Sequence, residues 1–511
     1  MNQQTAQTDE HHPSPARLAG VVRQGGRAVA IAQVLSQFVS LAVLAVLLRL
    51  LGPDPFGLIG MVLPLLLLGR TLTAWGLPMA SVQQRTLSHH QATSLFWITL
   101  ALGLFLGAAI AALAPLVAWF YGRHELLALT LMLAATAPLY AVGLQHQALL
   151  ERKLHLAQLT WSRLAAQALG GIAAVVVAIG ANTGWQVAAV AALVVQQYVE
   201  LLALAVLVWW LDDWRPGRPR RGENLGDMLR FGTNYTASGF VFTLEQQLDK
   251  VLVGLLLGTR ALGLYGQAFN VMMKPVLLTS TALTGMMFPA LSRARDDRGT
   301  FAAWVVAFNR VVAILLLPAG AGLAVVAPET MWLLGGSEWQ AAGPLLAALA
   351  GVILVRGFIN IAGSVLAAVG RTDRLLRGAL ALVVGMLPGV LLGWVLGNYW
   401  EQPLLGLACG YAVTYVAMLF PGYLVYVLRG ADVSVGDWWD AVRRPLVAAV
   451  AMGAVVALAK SALLFAIPAA GPLPRLIILL AIGGLTYAAL ARDELRWLVA
   501  QWRTPSSANR T

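Results

Sequence analysis

Charged side chains interrupt several long apolar stretches of this sequence, and they are the residues with the clearest capacity for chemistry. The densest group is Glu245, Asp249 and Lys250, in the stretch "TLEQQLDKVLVGLLLG", with Gln246 and Gln247 beside them. Glu245 and Asp249 are four residues apart, so on a helix they share a face and repel each other unless cations lie opposite. The spacing therefore predicts a polar helix face that meets positive charge.

Four further cations lie near the midpoints of other apolar stretches: Arg70, Lys274, Arg310 and Arg356. A charge at such a depth costs about 2.5–3.5 kcal/mol on insertion scales unless it is paired or hydrated. Together with Lys250, these cations are predicted to line one water-filled, anion-binding cavity, and Lys250 and Lys274 are the candidates to neutralise the two carboxylates. The alternative is that buried ion pairs merely join helices. The sequence leaves both interpretations open.

The composition defines the elements that must position these residues. The chain of 511 residues is 59% apolar and 11% charged, with a mean hydropathy of +0.74, whereas soluble domains are about 45–50% apolar and 25% charged. A spanning helix needs about 20 mostly apolar residues. Fourteen such runs occur, at residues 28–50, 58–78, 95–120, 126–150, 158–180, 187–211, 230–257, 262–288, 301–327, 341–369, 375–397, 404–428, 445–467 and 475–491. We therefore predict an all-α polytopic membrane protein with about fourteen transmembrane helices.

Lysines and arginines are distributed unequally between the loops. With the N-terminus inside, 24 of the 35 fall in cytoplasmic segments and only Arg123, Arg260 and Arg475 in outer loops. The positive-inside rule therefore predicts that both termini are cytoplasmic. The basic linker "RPGRPRR" beside a span is interpreted as an inner-leaflet anchor rather than a nucleic-acid site. The interior charges that remain are eight basic and three acidic, so the membrane interior is net cationic.

Two motif pairs indicate an internal duplication. "LGPDPFGLIG" (51–60) matches "LGTRALGLYG" (257–266), and "APLVAWFYG" (114–122) matches "APETMWLLG" (327–335), in both cases six spans apart. Parallel repeats of this kind place a substrate site between two lobes. The predicted organisation is a disordered cytoplasmic tail (1–27), a six-helix lobe (28–211), a basic linker (212–229), a second six-helix lobe (230–428), a connector with helices 13 and 14 (429–491), and a cytoplasmic tail (492–511).

Three stretches resemble one transporter family: "LLRLLGPDPFGLIGM", the run from "LDKVLVGLLLGTRALGLYG" to "MMFPALSRARDD", and "LAAVGRTDRLLR". They are similar to the polysaccharide transporter branch of the multidrug/oligosaccharidyl-lipid/polysaccharide (MOP) flippase superfamily, and the resemblance covers residues 26–428. It implies two pseudo-symmetric six-helix lobes around a cationic cavity. It also implies movement of an undecaprenyl diphosphate-linked oligosaccharide from the cytoplasmic to the outer leaflet of the bacterial inner membrane, by alternating access. Two extra C-terminal helices occur in some relatives.

The expected substrate agrees with the charges, because a diphosphate needs cationic partners in a site of low dielectric. The candidates for the sugar-binding face are Gln246, Gln247, Asn234, Tyr235, Gln267 and Asn270. These side chains could equally be helix-packing amides. Membrane lipids, a polysaccharide polymerase and glycosyltransferases of the same pathway are the expected partners.

Other functions receive less support from the sequence. There is no GxxxxGK[ST] phosphate loop and no HExxH motif, and the single cysteine, Cys409, excludes a cysteine-based metal cluster. We therefore predict no enzyme activity, no cofactor and no metal. A cation-coupled multidrug exporter would favour an acidic cavity over a basic one. A lipid II flippase shares the fourteen spans and the cationic cavity, so it is the alternative that stays open.

Overall fold

The computed structural model describes residues 15–84, 86–180, 185–219, 225–294, 297–467 and 471–503. Within these ranges the chain is almost entirely helical and contains no β-strand. The first half comprises α1 (Pro15–Leu50), α2 (Pro53–Ala74), α3 (Leu77–Gln83), α4 (His89–Tyr121), α5 (Glu125–Ala134), α6 (Thr136–Arg152), α7 (Leu156–Gly180) and α8 (Trp185–Leu211). The second half comprises α9 (Gly226–Arg293), α10 (Arg298–Gly335), a 3₁₀ turn (Ser337–Trp339), α11 (Ala342–Ala350), α12 (Val352–Val369), α13 (Thr372–Tyr399), α14 (Pro403–Val413), a π-helical turn (Thr414–Leu419) and α15 (Phe420–Gly430). Three helices follow, α16 (Val435–Ala466), α17 (Pro472–Leu490) and α18 (Arg492–Arg503).

Thirteen helices within these ranges are long and apolar enough to cross a membrane, and one of them is a folded pair. The candidate span 239–280 has 42 residues, about 63 Å if it were straight, twice the hydrocarbon thickness of about 30 Å. Gly258 interrupts it with φ 80° and ψ −170°, a conformation that glycine adopts most readily. The two arms then run side by side, since Tyr265 bonds to Asp249 across the turn. With the two arms counted separately, the described residues contain fourteen apolar helical segments of spanning length, and the prediction of an all-α polytopic membrane protein is confirmed.

Corresponding passes in the two halves have similar interruptions. The helix α4 contains Pro115 and ends at Gly122, with φ 65°, while α10 contains Pro328 and ends at Gly336, with φ 79°. The next pass is broken in both halves, between α5 and α6 and between α11 and α12. These features agree with the duplication that the sequence motifs predict. Superposing residues 28–211 on residues 230–428 would test whether the two predicted lobes share one fold.

The segments outside the predicted lobes are more helical than the sequence suggests. The helix α1 begins at Pro15, inside the predicted tail (1–27), whose first fourteen residues lie outside the described ranges. Most of the predicted C-terminal tail (492–511) forms the helix α18, and residues 504–511 lie outside the described ranges. The linker 212–229 is described except for residues 220–224. Trp97 of α4 donates to the carbonyl of Gly217 at 2.9 Å, which attaches the linker to the first half.

We call the two ends of the bundle the Gly258 end and the linker end. At the Gly258 end the two halves pack with almost no space between their backbones. A Cβ at Gly57 would lie 1.9 Å from the carbonyl oxygen of Thr259, and one at Gly263 would lie 1.9 Å from that of Pro53. Only glycine permits this approach, so the sequence at these two positions fixes how closely α2 meets α9.

Candidate functional site

A cavity of about 320 Å³ lies between the two halves. Its walls come from α1, α2, α7 and α8 of the first half and from both arms of α9. The polar side chains that line it are Ser40, Gln167, Gln196, Gln197, Lys250, Gln267, Asn270 and Lys274. Its apolar lining includes Leu44, Leu47, Phe56, Leu63 and Leu262. We call it the central cavity. Two ammonium groups and five amide groups line the central cavity.

Lys274 is the cavity cation with the fewest protein partners. It lies on the second arm of α9 and donates to the hydroxyl of Ser40 on α1 at 2.5 Å. Within the part of the chain that the structure describes, it forms no ion pair. A lysine at this depth is costly without a counter-charge or water. Among the described residues, the charge of Lys274 is therefore balanced by no carboxylate.

Lys250 joins the central cavity to a group of buried charges. Its ammonium group donates to the carbonyl of Gln246 at 2.6 Å and lies 4.3 Å from the ring centroid of Phe269. Behind it are Glu245 and Asp249, which are 1% and 0% exposed. We call Glu245, Asp249, Lys250 and Arg356 the charge cluster. Two carboxylates and two cations make this cluster formally neutral.

Both carboxylates of the charge cluster interact electrostatically with Lys250, one of the two cations that the sequence predicts, but their hydrogen-bond partners lie elsewhere. Glu245 accepts from Arg356 at 2.8 Å, and Asp249 accepts from the hydroxyl of Tyr265 at 2.7 Å. Arg356 also donates to Tyr411. Neither acid bonds to Lys274. Arg356 is 2% exposed, so the structure places it behind the cavity wall in a buried ion pair.

Arg70 lies one side chain away from the central cavity. Its guanidinium donates to Gln197, which lines the cavity, at 3.0 Å, and it lies 5.7 Å from the ring centroid of Tyr140. Glu200 is close enough to interact with it electrostatically. Arg70 therefore adds positive potential to the cavity and orients an amide on its wall, with part of its charge balanced.

Arg310 does not reach the central cavity. It pairs with Glu494 of α18 at 2.7 Å and stacks on Trp497, with its guanidinium 4.2 Å from the ring centroid. The helix α10 has 38 residues, about 57 Å, so it extends well beyond a bilayer. Arg310 lies near its linker end, not at mid-depth. The contact attaches the C-terminal helix to the transmembrane bundle.

The amides predicted for a sugar face divide into three groups. Gln267 and Asn270 line the central cavity and bond to each other at 3.1 Å. Gln246 lies beside Lys250, and Gln247 is buried, with an Oε1 atom that has no partner among the described residues. The side chains of Asn234 and Tyr235 lie outside the described set. The cavity also contains Gln167, Gln196 and Gln197, which the sequence analysis did not select.

A second buried polar cluster lies at the linker end of the first half. Asp212 accepts from His146 at 3.2 Å and from Lys153 at 2.6 Å. Burial alone would raise the pKa of Asp212, but the hydrogen bonds from His146 and Lys153, with the charge of Lys153, lower it below its ordinary value. Because Asp212 directly follows α8, this cluster attaches the start of the linker to α6.

Interactions between the halves close the Gly258 end of the cavity. Asp54 accepts from the hydroxyl of Thr259 at 2.9 Å and pairs with Arg260 at 3.6 Å. The indole of Trp339 donates to the carbonyl of Leu48 at 2.8 Å. Together with the contacts at the two glycines, these bonds join α1 and α2 to the second half across the end of the cavity.

We expect Gly263→Ala to open the Gly258 end. Its new Cβ would overlap the backbone of Pro53, which cannot move aside as a side-chain end would. In a Cys409→Ser, Thr259→Cys background, a membrane-impermeant maleimide should label the buried residue 259 several-fold faster. Gly266→Ala is the matched control, because a Cβ there meets nothing within 4 Å. Equal labelling of the two variants would show that this packing does not close the cavity.

Solved structures of two membrane transporters share this fold. One is titled lipid II flippase MurJ in an inward closed conformation; it has a TM-score of 0.69 and 12% identity, covering 92% of this chain and 99% of that one. Another is an inward-facing multidrug resistance MATE family transporter of the MOP superfamily, with a TM-score of 0.61 and 17% identity over 79% of this chain and 98% of that one. The chain therefore has the same fold as these two transporters.

Residues 46–344 match the family described as polysaccharide biosynthesis protein, and the chain belongs to that family. It is 26% identical to the teichuronic acid biosynthesis protein TuaB of Bacillus subtilis (strain 168), over 74% of this chain and 77% of TuaB. It is also 26% identical to the succinoglycan biosynthesis transport protein ExoT of Rhizobium meliloti (strain 1021), over 82% of each chain. The family resemblance inferred from the sequence is confirmed.

Proposed function

We propose that this protein is a flippase that moves a polyprenyl diphosphate-linked oligosaccharide across the bacterial inner membrane during surface polysaccharide assembly. The observation that carries the proposal is Lys274, a mid-depth lysine without an ion pair among the described residues, on a cavity wall rich in amides. An ammonium in a site of low dielectric is suited to a phosphate oxygen. A transporter of a cationic drug would instead need an acidic wall.

The three parts of such a substrate have matching surfaces on the protein. The diphosphate fits Lys274 and Lys250, with Arg70 behind Gln197. The sugars fit the amides of Gln267 and Asn270 and those of α7 and α8. The prenyl tail can remain in lipid if it leaves between α1 and the second arm of α9, where Leu277 and Phe38 are 42% and 66% exposed.

The transport cycle follows from which end is closed. With the Gly258 end held by Asp54 and the two glycine contacts, this conformation would load substrate from the linker side. We propose that this side is the cytoplasm, with both termini cytoplasmic; the excess of basic residues at the linker end supports this under the positive-inside rule. A cavity of about 320 Å³ is at the lower limit for ligand pockets. We propose that the halves separate at the linker end to admit the sugar head, and that no covalent step or cofactor is involved.

The second candidate function is translocation of lipid II, which also carries a diphosphate and a polyprenyl tail. Only the fold favours it, through the similarity to a lipid II flippase at 12% identity. The family match and the biosynthesis relatives favour a polysaccharide repeat unit instead. The distinction concerns the sugar and peptide part of the substrate rather than the diphosphate.

Translocation in proteoliposomes distinguishes these functions. Purified protein should move an undecaprenyl diphosphate-linked oligosaccharide between leaflets at least tenfold faster than lipid II, and should not accumulate a cationic dye. Deletion of the gene should abolish surface polysaccharide while peptidoglycan synthesis continues. Faster movement of lipid II, or dye transport alone, would contradict the proposal. Protein-free vesicles provide the background rate.

A further inference from the structure

A pocket of about 410 Å³ lies at the linker end of the second half, away from the central cavity. The residues that line it are Arg374, Arg377, Gly422, Val425, Tyr426 and Arg429, and we call it the arginine pocket. None of them lines the central cavity. The pocket joins the start of α13 to the end of α15, so three guanidinium groups from two passes converge at one membrane surface.

Among the described residues, these arginines have no buried counter-charge. Arg374 lies 5.6 Å from the ring centroid of Tyr426. Arg377 has only an exposed pair with Asp373 at 3.8 Å, and such pairs contribute little. Among the described residues Arg429 makes no hydrogen bond or ion pair. The N-terminus of α13, which begins at Thr372, adds a partial positive charge.

An apolar track leads from each exposed arginine along a lipid-facing helix surface. On α13, Leu380 and Val384 follow Arg377 at three and seven residues, so all three share a face. Their exposures are 46% and 66%. Both side chains are apolar and exposed. They provide a surface for a hydrocarbon chain that begins at the arginines.

The neighbouring pass has the same arrangement in the opposite chain direction. Gly422 and Val425 precede Arg429 at seven and four residues, on one face of α15, and Met418 lies in the π-helical turn just before that helix. Met418 is 68% exposed, and a Cβ at Gly422 would meet nothing within 4 Å. Gly422 therefore leaves a notch in this face directly beside the arginine pocket.

We propose that the arginine pocket is a binding site for an anionic phospholipid of the leaflet at the linker end. Its phosphate contacts Arg374, Arg377 and Arg429, and an acyl chain lies along the two apolar tracks over the notch at Gly422. Guanidinium groups match phosphate oxygens through paired donors. Basic pockets between transmembrane helices are a recognised form of lipid head-group site. This inference is independent of the substrate proposed for the central cavity.

The general attraction of basic residues to an anionic leaflet would also concentrate such lipids, so the test must separate a site from a diffuse field. Lipid binding to the purified full-length protein is measured by native mass spectrometry, with phosphatidylglycerol and phosphatidylcholine of the same acyl chains. The protein should bind one phosphatidylglycerol at least tenfold more tightly than phosphatidylcholine. The Arg377→Gln, Arg429→Gln double variant should lose this preference.

Two further variants decide the interpretation. Arg443→Gln, Arg444→Gln removes two exposed charges from the same end outside the pocket, and it should keep the preference. Gly422→Leu keeps every charge but fills the notch, and it should weaken phosphatidylglycerol binding at least fivefold. Equal losses in the two double variants would overturn the proposal in favour of a diffuse field. Displacement of the lipid by millimolar inorganic diphosphate, with Gly422→Leu unaffected, would overturn it in favour of a soluble phosphate ligand.

Discussion

Replacing Arg356 with alanine is expected to reduce the folded protein in the membrane rather than to affect transport selectively. The guanidinium bonds to Glu245 and Tyr411 at a position that is 2% exposed, and Glu245 is 1% exposed. Removing one partner of a buried ion pair leaves the other charge uncompensated and typically costs about 3–5 kcal/mol. Thermal unfolding in detergent and immunoblots of membranes should both show the loss.

Two variants identify the cause of that loss. Glu245→Gln with Arg356→Met should recover much of the stability, because neither member of the pair then remains as a lone buried charge. Arg443→Ala removes an exposed arginine that pairs with Asp440 at 3.1 Å and should leave the unfolding temperature unchanged. If Arg356→Ala unfolds like the parent protein, Arg356 is hydrated, and its assignment to a buried pair is wrong.

The sequence predicts the passes well because each pass must satisfy its own backbone in lipid. Runs of about 20 apolar residues follow from that requirement alone. The turn at Gly258 falls between the predicted runs 230–257 and 262–288, since a glycine and an arginine interrupt the hydrocarbon there. An apolar run in the sequence does not show how deep its midpoint lies in the bilayer. The helix α10 extends from Arg298 to Gly335, well past the predicted run 301–327.

The greater length of α10 explains why two residues lie at depths other than those that the sequence predicts. Arg310 is near the centre of the predicted run but lies toward the linker end of the observed helix. Glu329 falls beyond the predicted run, yet it accepts from Lys460 at 2.8 Å and is 8% exposed. The predicted run therefore places Arg310 at mid-depth and excludes Glu329, the partner of Lys460.

The sequence also does not show which side chains on different passes contact each other. The spacing of Glu245 and Asp249 correctly predicts a shared face and opposing polar groups, but it does not specify which helices face them. Arg356 is 111 residues from Glu245 in sequence. The sequence does not distinguish Lys274 from Arg356 as the partner of Glu245, because helix rotation and the tilt of the two arms are set by packing rather than by local pattern.

Lys274→Gln is expected to reduce transport by about 10- to 100-fold while the protein remains folded. Glutamine can still bond to Ser40, but it removes the ammonium that we propose to contact the diphosphate. Loss of a charge-assisted contact typically costs about 1.5–3 kcal/mol. Stability should be unchanged or higher, because the insertion cost of the lysine, about 2.5–3.5 kcal/mol, is removed too. The measurement is translocation in proteoliposomes, normalised to incorporated protein.

The conservative and the matched variants separate charge from structure. Lys274→Arg keeps the positive charge and should retain most of the activity. Lys460→Gln removes a lysine of similar burial whose ammonium pairs with Glu329, so it should lower stability rather than transport per folded molecule. If Lys274→Gln transports like the parent at equal membrane levels, then Lys274 serves only to join α9 to α1 through Ser40. The anion site must in that case lie at Lys250 and Arg70, the two other cations at the central cavity.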